Sequence, residues 1–236
     1  NDIDMVLAIG GGSVIDCAKV VAAGACYDGD PWDLVITPRW IKKALPIYSV
    51  LTLSATGSEM DPFAVISDMS KNEKWGTSSE HMKPKMSILD PEYTYSVSKK
   101  QTAAGTADMI SHICENYFTN VKNADVQARF AEGLLKNCFK YGPIALEEPD
   151  NYDARANLMW TASMAINGIL SDGAEVSWCV HPMEHELSAF YDITHGEGLA
   201  ILTPHWMDFA LNDDTASKFA DYASCLLYTS PSPRDA

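Results

Sequence analysis

The sequence predicts an α/β part built on a parallel sheet, followed by an all-helical part. Three observations carry this. Short apolar runs alternate with helical stretches up to residue 97, a glycine-rich turn joins the first run to the first helix, and beyond Ser98 only the helical period recurs.

Met5-Val-Leu-Ala-Ile9 is a continuous apolar run, which predicts a strand buried on both faces. Gly10-Gly11-Gly12 turns the chain into a helix starting at Ser13, with Ser13 as its cap and Asp16 as the capping-box partner. Leu45 to Leu53 is a second strand, running into Ser54-Ala-Thr-Gly-Ser58. Lys85 to Leu89 is a third, closed by Asp90-Pro91. Ligands of such a sheet sit at the carboxyl ends of its strands. Ser98-Lys-Lys-Gln101 is another capping box and opens a helix through Tyr117. Asp125 caps the next helix, with Val126, Phe130, Leu134 and Cys138 on one stripe and Gly142-Pro143 as its stop. Further helices are expected from about Asp153, Val176 and Leu199. The division falls near residue 97, giving parts over 1–97 and 98–223. The chain enters a strand almost at once with no Met before Asn1, so the first part is expected to be incomplete. The run Ser224 to Ala236 shares neither periodicity nor composition with what precedes it and is set apart as a non-native tail.

With 236 residues, 47% of them hydrophobic, the chain can fill one large or two modest cores. Its 17 basic and 32 acidic side chains give a net charge of −15, and no Lys/Arg cluster is present, which argues against a nucleic-acid partner. The six cysteines have no paired spacing, which points to reduced thiols in a reducing compartment. No signal peptide and no membrane-spanning apolar run is seen, so a cytoplasmic location is expected.

Strand, three glycines, serine and helix is a recurrent way to hold a phosphate: glycines allow close backbone approach, and the helix start offers free N–H groups. Alone, the turn fits a purely structural role equally well. Thr56 and its neighbours at the end of the second strand add hydroxyls and donors at the same sheet edge, which tilts the reading toward a nucleotide. Asp108 and His112 lie four apart on one helix face; His181 and His185 form a second such pair, and His195 follows ten residues on. Three imidazoles and one carboxylate are a complete donor set for Fe²⁺ or Zn²⁺. Any one of these residues alone is more often an ordinary surface or core residue. A competing motif is His181-Pro-Met-Glu184-His185, which fits H-x-x-E-H and would make His181 and His185 ligands and Glu184 the base of a metallopeptidase.

Taken together, Ala8-Ile-Gly-Gly-Gly-Ser-Val-Ile-Asp16, Leu53-Ser-Ala-Thr-Gly-Ser-Glu59, Leu89-Asp-Pro91, Asp108 with His112, and His181-x3-His185-x9-His195-Gly196 resemble the iron-containing (group III) alcohol dehydrogenases. Within them the likeness is to NADPH-dependent butanol dehydrogenases and broad aldehyde reductases. The resemblance implies a Rossmann-like N-terminal domain and a helical C-terminal domain, the dehydroquinate synthase-like fold, with the active site in the cleft. It implies Asp108, His112, His181 and His195 as ligands of one divalent metal, Fe²⁺ or Zn²⁺, and His185 as a cavity residue relaying protons. It implies Gly11, Gly12 and Ser13, with Asp16, at the cofactor pyrophosphate, and Thr52, Thr56 and Lys74 as further cofactor contacts. The implied reaction interconverts primary alcohols and aldehydes by hydride transfer, with NADP(H) preferred to NAD(H), in a homodimer when full length. A glycerol dehydrogenase-like enzyme on the same scaffold is the nearer alternative. Two departures stand out. Asp61 replaces an Asn common in relatives, a carboxylate expected to disturb the cofactor, and the family's first strands and last helices are absent, which leaves the helical part incomplete too and removes the loop that tells NAD from NADP.

Overall fold

The computed structural model describes residues 2–176 and 178–227. Strand β1 (Val6–Gly10) leads into helix α1 (Gly12–Gly24), followed by the short helix α2 (Pro31–Ile36) and β2 (Ile47–Leu51). A hairpin of β3 (Phe63–Asp68) and β4 (Glu73–Ser78) comes next, then β5 (Met86–Ile88). Six helices complete the described chain: α3 (Lys99–Tyr117), α4 (Asp125–Glu147), α5 (Tyr152–Ile166), α6 (Val180–Tyr191), α7 (His195–Ala210) and α8 (Ala216–Leu227).

The three predicted strands form one parallel sheet in the order β1-β2-β5. Its register stacks Leu7, Tyr48 and Met86 in one row and Ile9, Val50 and Ile88 in the next. Leu7, Ile9, Met86 and Ile88 are exposed, whereas Ala8 and Leu51, on the opposite face, pack with Ile15, Ala18 and Met159. The expectation of a strand buried on both faces is therefore corrected: among the described residues, β1 is covered on one side only.

Three further expectations change. Helix α1 starts at Gly12 with Gly11 as its cap and no side-chain capping bond, so Ser13 and Asp16 do not form a capping box. Asp16 turns inward instead, accepting from Ser58 Oγ and from the Val65 N–H at 2.8 Å. Helix α4 runs past Gly142-Pro143 to Glu147, and its buried stripe is Ala128, Ala131, Leu135, Cys138, Gly142 and Ala145 rather than one containing Val126 and Phe130, which are exposed. Small residues win because α4 lies close against α3: a Cβ on Gly142 would meet Thr106 Cγ2 at 2.8 Å. Packing along that stripe outweighs the local cost of Pro143, about 3 kcal/mol. Finally, α8 continues to Leu227, Cys225 is buried and Leu226 packs on the helical core, so the helix includes the first residues of the segment set apart as a tail. Residues 228–236 lie outside the described residues.

The expected cap of α3 is present, with Ser98 Oγ accepting from the Gln101 N–H at 3.2 Å. The β3–β4 hairpin was not anticipated. It packs on α1 and α2, and β4 reaches α6, which carries Lys74 to the helical part. No described helix is long and apolar enough to cross a membrane.

Candidate active site

The glycine turn and the histidine cluster open on one cleft of about 330 Å³, lined by Gly11, Gly12, Ser13, Thr56, Asp108 and His195 among others. Close backbone contacts shape it. A Cβ on Gly12 would meet Thr56 Oγ1 at 2.4 Å, and one on Gly196 would meet the Ala104 carbonyl at 2.0 Å. Glycine at these two positions lets α1 approach the β2 loop and α7 approach α3. Because no side chain caps α1, its first N–H groups remain available to an anion at the positive end of the helix.

Asp108 and His112 project from α3, His181 from the first turn of α6, and His195 from the start of α7. Asp108 Oδ1 lies 3.6 Å from His112 Nδ1, 3.6 Å from His181 Nε2 and 3.7 Å from His195 Nε2. Asp108 Oδ1, His112 Nδ1 and His181 Nε2 are buried with no hydrogen-bond partner. Three orphaned polar atoms converging on one point are costly unless something binds them. A divalent metal fits the donor set, since ligands at ~2.1 Å in a tetrahedron stand about 3.4 Å apart.

The partners behind these side chains complete the picture. Glu115 is buried on α3 and pairs with His181 Nδ1, while its oxygens also accept the Cys179 N–H at 2.6 Å, the Val180 N–H at 2.9 Å and the His181 N–H at 3.1 Å. One carboxylate thus caps α6 and fixes the ring that presents Nε2. Glu184 does the same for His195: it pairs with His195 Nδ1, accepts from Ser188 Oγ, and forms an ion pair with Lys74 at 3.2 Å. Burial alone would favour the neutral form of His181, but the carboxylates of Asp108 and Glu115 outweigh it and hold this imidazole up at about 9. Burial pushes His112 down to about 4 despite Asp108. Burial also works against the Asp108 anion, yet His112, His181 and His195 hold its carboxyl below the usual range.

Not every predicted residue joins the cleft. Thr52 donates its N–H to the Gly10 carbonyl at 3.1 Å and is not among the lining residues. Asp16 faces Ser58 and Val65, away from the turn. Lys74 lies against Glu184 and His195, at 3.3 Å from His195 Nδ1, beside the histidine cluster rather than the glycine turn. His185 sits behind His195, with ring centroids 5.6 Å apart, and does not line the cleft. Asp61 is buried against Lys19 Nζ at 2.8 Å and accepts the Phe63 N–H at 2.7 Å, so the anticipated disturbance of a cofactor has no structural basis.

The metallopeptidase alternative fails on the same geometry. His181 groups with Asp108 and His112, and His185 groups with Glu184 and His195, so the two histidines of H-x-x-E-H do not converge. Glu184 is fully buried and engaged by three partners, which leaves it no access to an attacking water. Pro182 is unstrained because it lies in the first turn of α6, where its missing N–H is not needed.

The α/β part with its glycine turn, the helical part and a donor set that suits a divalent metal are what the comparisons with known proteins meet as well. Residues 1–91 match the model for iron-containing alcohol dehydrogenases, and residues 102–235 match that for the C-terminal part of the same family. The chain belongs to the iron-containing alcohol dehydrogenase family. It is 63% identical over 222 residues to NADH-dependent butanol dehydrogenase A of Clostridium acetobutylicum, covering 94% of this chain and 57% of that protein. It is 42% identical over 225 residues to the NADPH-dependent aldehyde reductase YqhD of Escherichia coli, covering 94% of this chain and 58% of the relative. The crystal structure of NADH-dependent butanol dehydrogenase A from Thermotoga maritima superposes with a TM-score of 0.92 at 44% identity, over 98% of this chain and 58% of that one. The chain spans less than two thirds of the length of these relatives.

Proposed function

We propose that the protein, at the full length of its relatives, interconverts primary alcohols and aldehydes by hydride transfer with a nicotinamide cofactor, at a divalent metal held by Asp108, His112, His181 and His195. The observation that carries this is the convergence of three buried, partnerless atoms of Asp108, His112 and His181 beside the cleft that Asp108, His195 and the glycine turn line.

A metal bound there supplies Lewis acidity toward an alcohol or carbonyl oxygen. The nicotinamide supplies the hydride acceptor or donor. The protein's own groups do the rest. Gly11, Gly12 and Ser13 receive a phosphate at the start of α1, and Thr56 closes the same wall. Glu115 and Glu184 hold His181 and His195 with one ring nitrogen each turned toward Asp108. His185 is pushed down to about 3 by burial and by the neighbouring Lys74 ammonium, so it is neutral at working pH. Beside the His195 ring, its role is to pass a proton on rather than to store one.

On the cofactor, the relatives at 63% and 62% identity are NADH-dependent by name, while the NADPH-dependent one stands at 42%. This moves the preference from NADP(H) to NADH. The substrate class, a short primary alcohol or its aldehyde, rests on the same relatives, and a homodimer remains the expected assembly.

The test is anaerobic calorimetric titration of the chain with Fe²⁺ and with Zn²⁺, alongside His195→Ala and His185→Ala. Loss of the site in His195→Ala with retention in His185→Ala supports the ligand set. Equal loss in both refutes it. Reduction of butanal and of dihydroxyacetone with NADH and NADPH by the full-length form separates the proposed specificity from a glycerol dehydrogenase-like one.

A further inference from the structure

A second polar site lies outside the cleft, under the loop that follows β2. Arg155 on α5 is only 4% exposed, and no described carboxylate pairs with it. Its Nε donates to the Pro149 carbonyl at 2.8 Å and its Nη1 to Thr102 Oγ1 at 3.0 Å, while Nη2 is buried without a partner. Ser54 Oγ is likewise buried without a partner. Both residues line one cavity of about 10 Å³, together with Thr102 and Thr106. That is room for one water-sized particle.

The charge inventory of this cavity is one-sided. Thr106 Oγ1 spends its proton on the Thr102 carbonyl at 2.8 Å. Thr102 Oγ1 already accepts from Arg155, which leaves its own proton free to donate. The unused side-chain groups of Arg155, Ser54 and Thr102 can therefore all donate; the Gln101 amide, which also lines the cavity, can accept but carries no charge, so the buried Arg155 cation has no counter-charge among the described residues. A water molecule would satisfy two donors but leave the charge uncompensated. A polyatomic anion such as phosphate is too large for the space. We propose that this cavity is a binding site for a single chloride ion, held by Arg155 Nη2, Ser54 Oγ and Thr102 Oγ1.

The site bears on the cleft because Ser54 opens the loop whose next residues, Ala55 and Thr56, form the cleft wall. Helix α3 rests directly on the same backbone: a Cβ on Gly105 would meet the Ser54 carbonyl at 2.5 Å. A bound chloride would tie α3, α5 and this loop to one point, fixing the wall that faces the glycine turn.

The experiment is crystallisation of the full chain in sodium bromide with data collected at the bromine absorption edge. In parallel, the melting temperature is followed as sodium gluconate is replaced by sodium chloride at constant ionic strength, in wild type, Ser54→Ala and Arg155→Met. An anomalous peak between Arg155 and Ser54 is expected, with a chloride-dependent rise in melting temperature that is at least halved in Ser54→Ala and abolished in Arg155→Met. Absence of the peak, or the same chloride dependence in wild type and Ser54→Ala, overturns the proposal. Ser54→Ala removes one hydroxyl only, so it keeps the comparison open even where Arg155→Met does not fold.

Discussion

Replacing Glu115 by Gln tests whether one carboxylate both caps α6 and sets a metal ligand. In the wild type its two oxygens receive four donors: the Cys179, Val180 and His181 N–H groups and His181 Nδ1. Glutamine keeps one oxygen, so His181 Nδ1 can retain its partner. The new amide NH₂ faces the Cys179 and Val180 N–H groups, which lose their acceptor. A buried donor left unpaired costs about 1–3 kcal/mol, and the part-buried Cys179 N–H can regain water, so the metal-free chain should lose roughly 2–3 kcal/mol. The ring of His181 also loses a full negative charge behind it, which lowers its basicity. Removing such a partner typically weakens metal affinity ~10–100-fold, about 1.4–2.7 kcal/mol at the site. The assay pairs urea unfolding in chelator with anaerobic Zn²⁺ calorimetry, and Glu115→Asp serves as the charge-preserving control. If Glu115→Gln keeps wild-type stability in chelator and a Zn²⁺ affinity within about threefold of wild type, the reasoning is wrong.

Other outcomes follow from the same geometry. Zn²⁺ affinity should rise with pH between about 6.5 and 9, because the metal must displace the proton that holds His181 charged up to about 9; calorimetry at pH 7 in buffers of different ionisation enthalpy should show about one proton released. The same raised value means that His181 stabilises the metal-free chain fully below its unfolded value, near 6.5, and that this contribution is lost as pH climbs through about 9. Gly196→Ala places a methyl 2.0 Å from the Ala104 carbonyl, so it should cost roughly 3 kcal/mol in urea unfolding and widen the cleft. Asp61 is raised to about 7 chiefly by burial, a contribution present at low pH and lost as pH rises through about 7. Asp61→Asn should therefore gain stability relative to wild type as pH rises from about 4 to 8, while nucleotide affinity measured by fluorescence stays unchanged.

Much of the fold was legible in the sequence because the signals were local. The parallel strands showed as apolar runs, and Ser98 announced the start of α3. The β3–β4 hairpin was missed because Phe63–Asp68 and Glu73–Ser78 do not alternate cleanly, and their pairing depends on packing over α1 and α2. Pro143 misled for the opposite reason: a strong local stop was overruled by a buried stripe of small residues on α4. At the site, Asp108 and His112 announced themselves by spacing. Glu115 continues the same face at i+7 from Asp108, a signal that could have been used. The pairings of Glu184 with His195 and Lys74 could not have been found this way, since they join different elements: α6 to the start of α7 in one case, and α6 to β4, 110 residues away, in the other.

Lys74 stands on a hairpin that belongs to the sheet-bearing half, yet its ammonium rests on the carboxylate that steadies His195. Any displacement of the hairpin would take that positive charge away from Glu184 and from the His195 ring it supports. The hairpin thus ties the two halves together electrically as well as by packing: the charge behind the ring of His195 is set partly by a side chain from the sheet-bearing half.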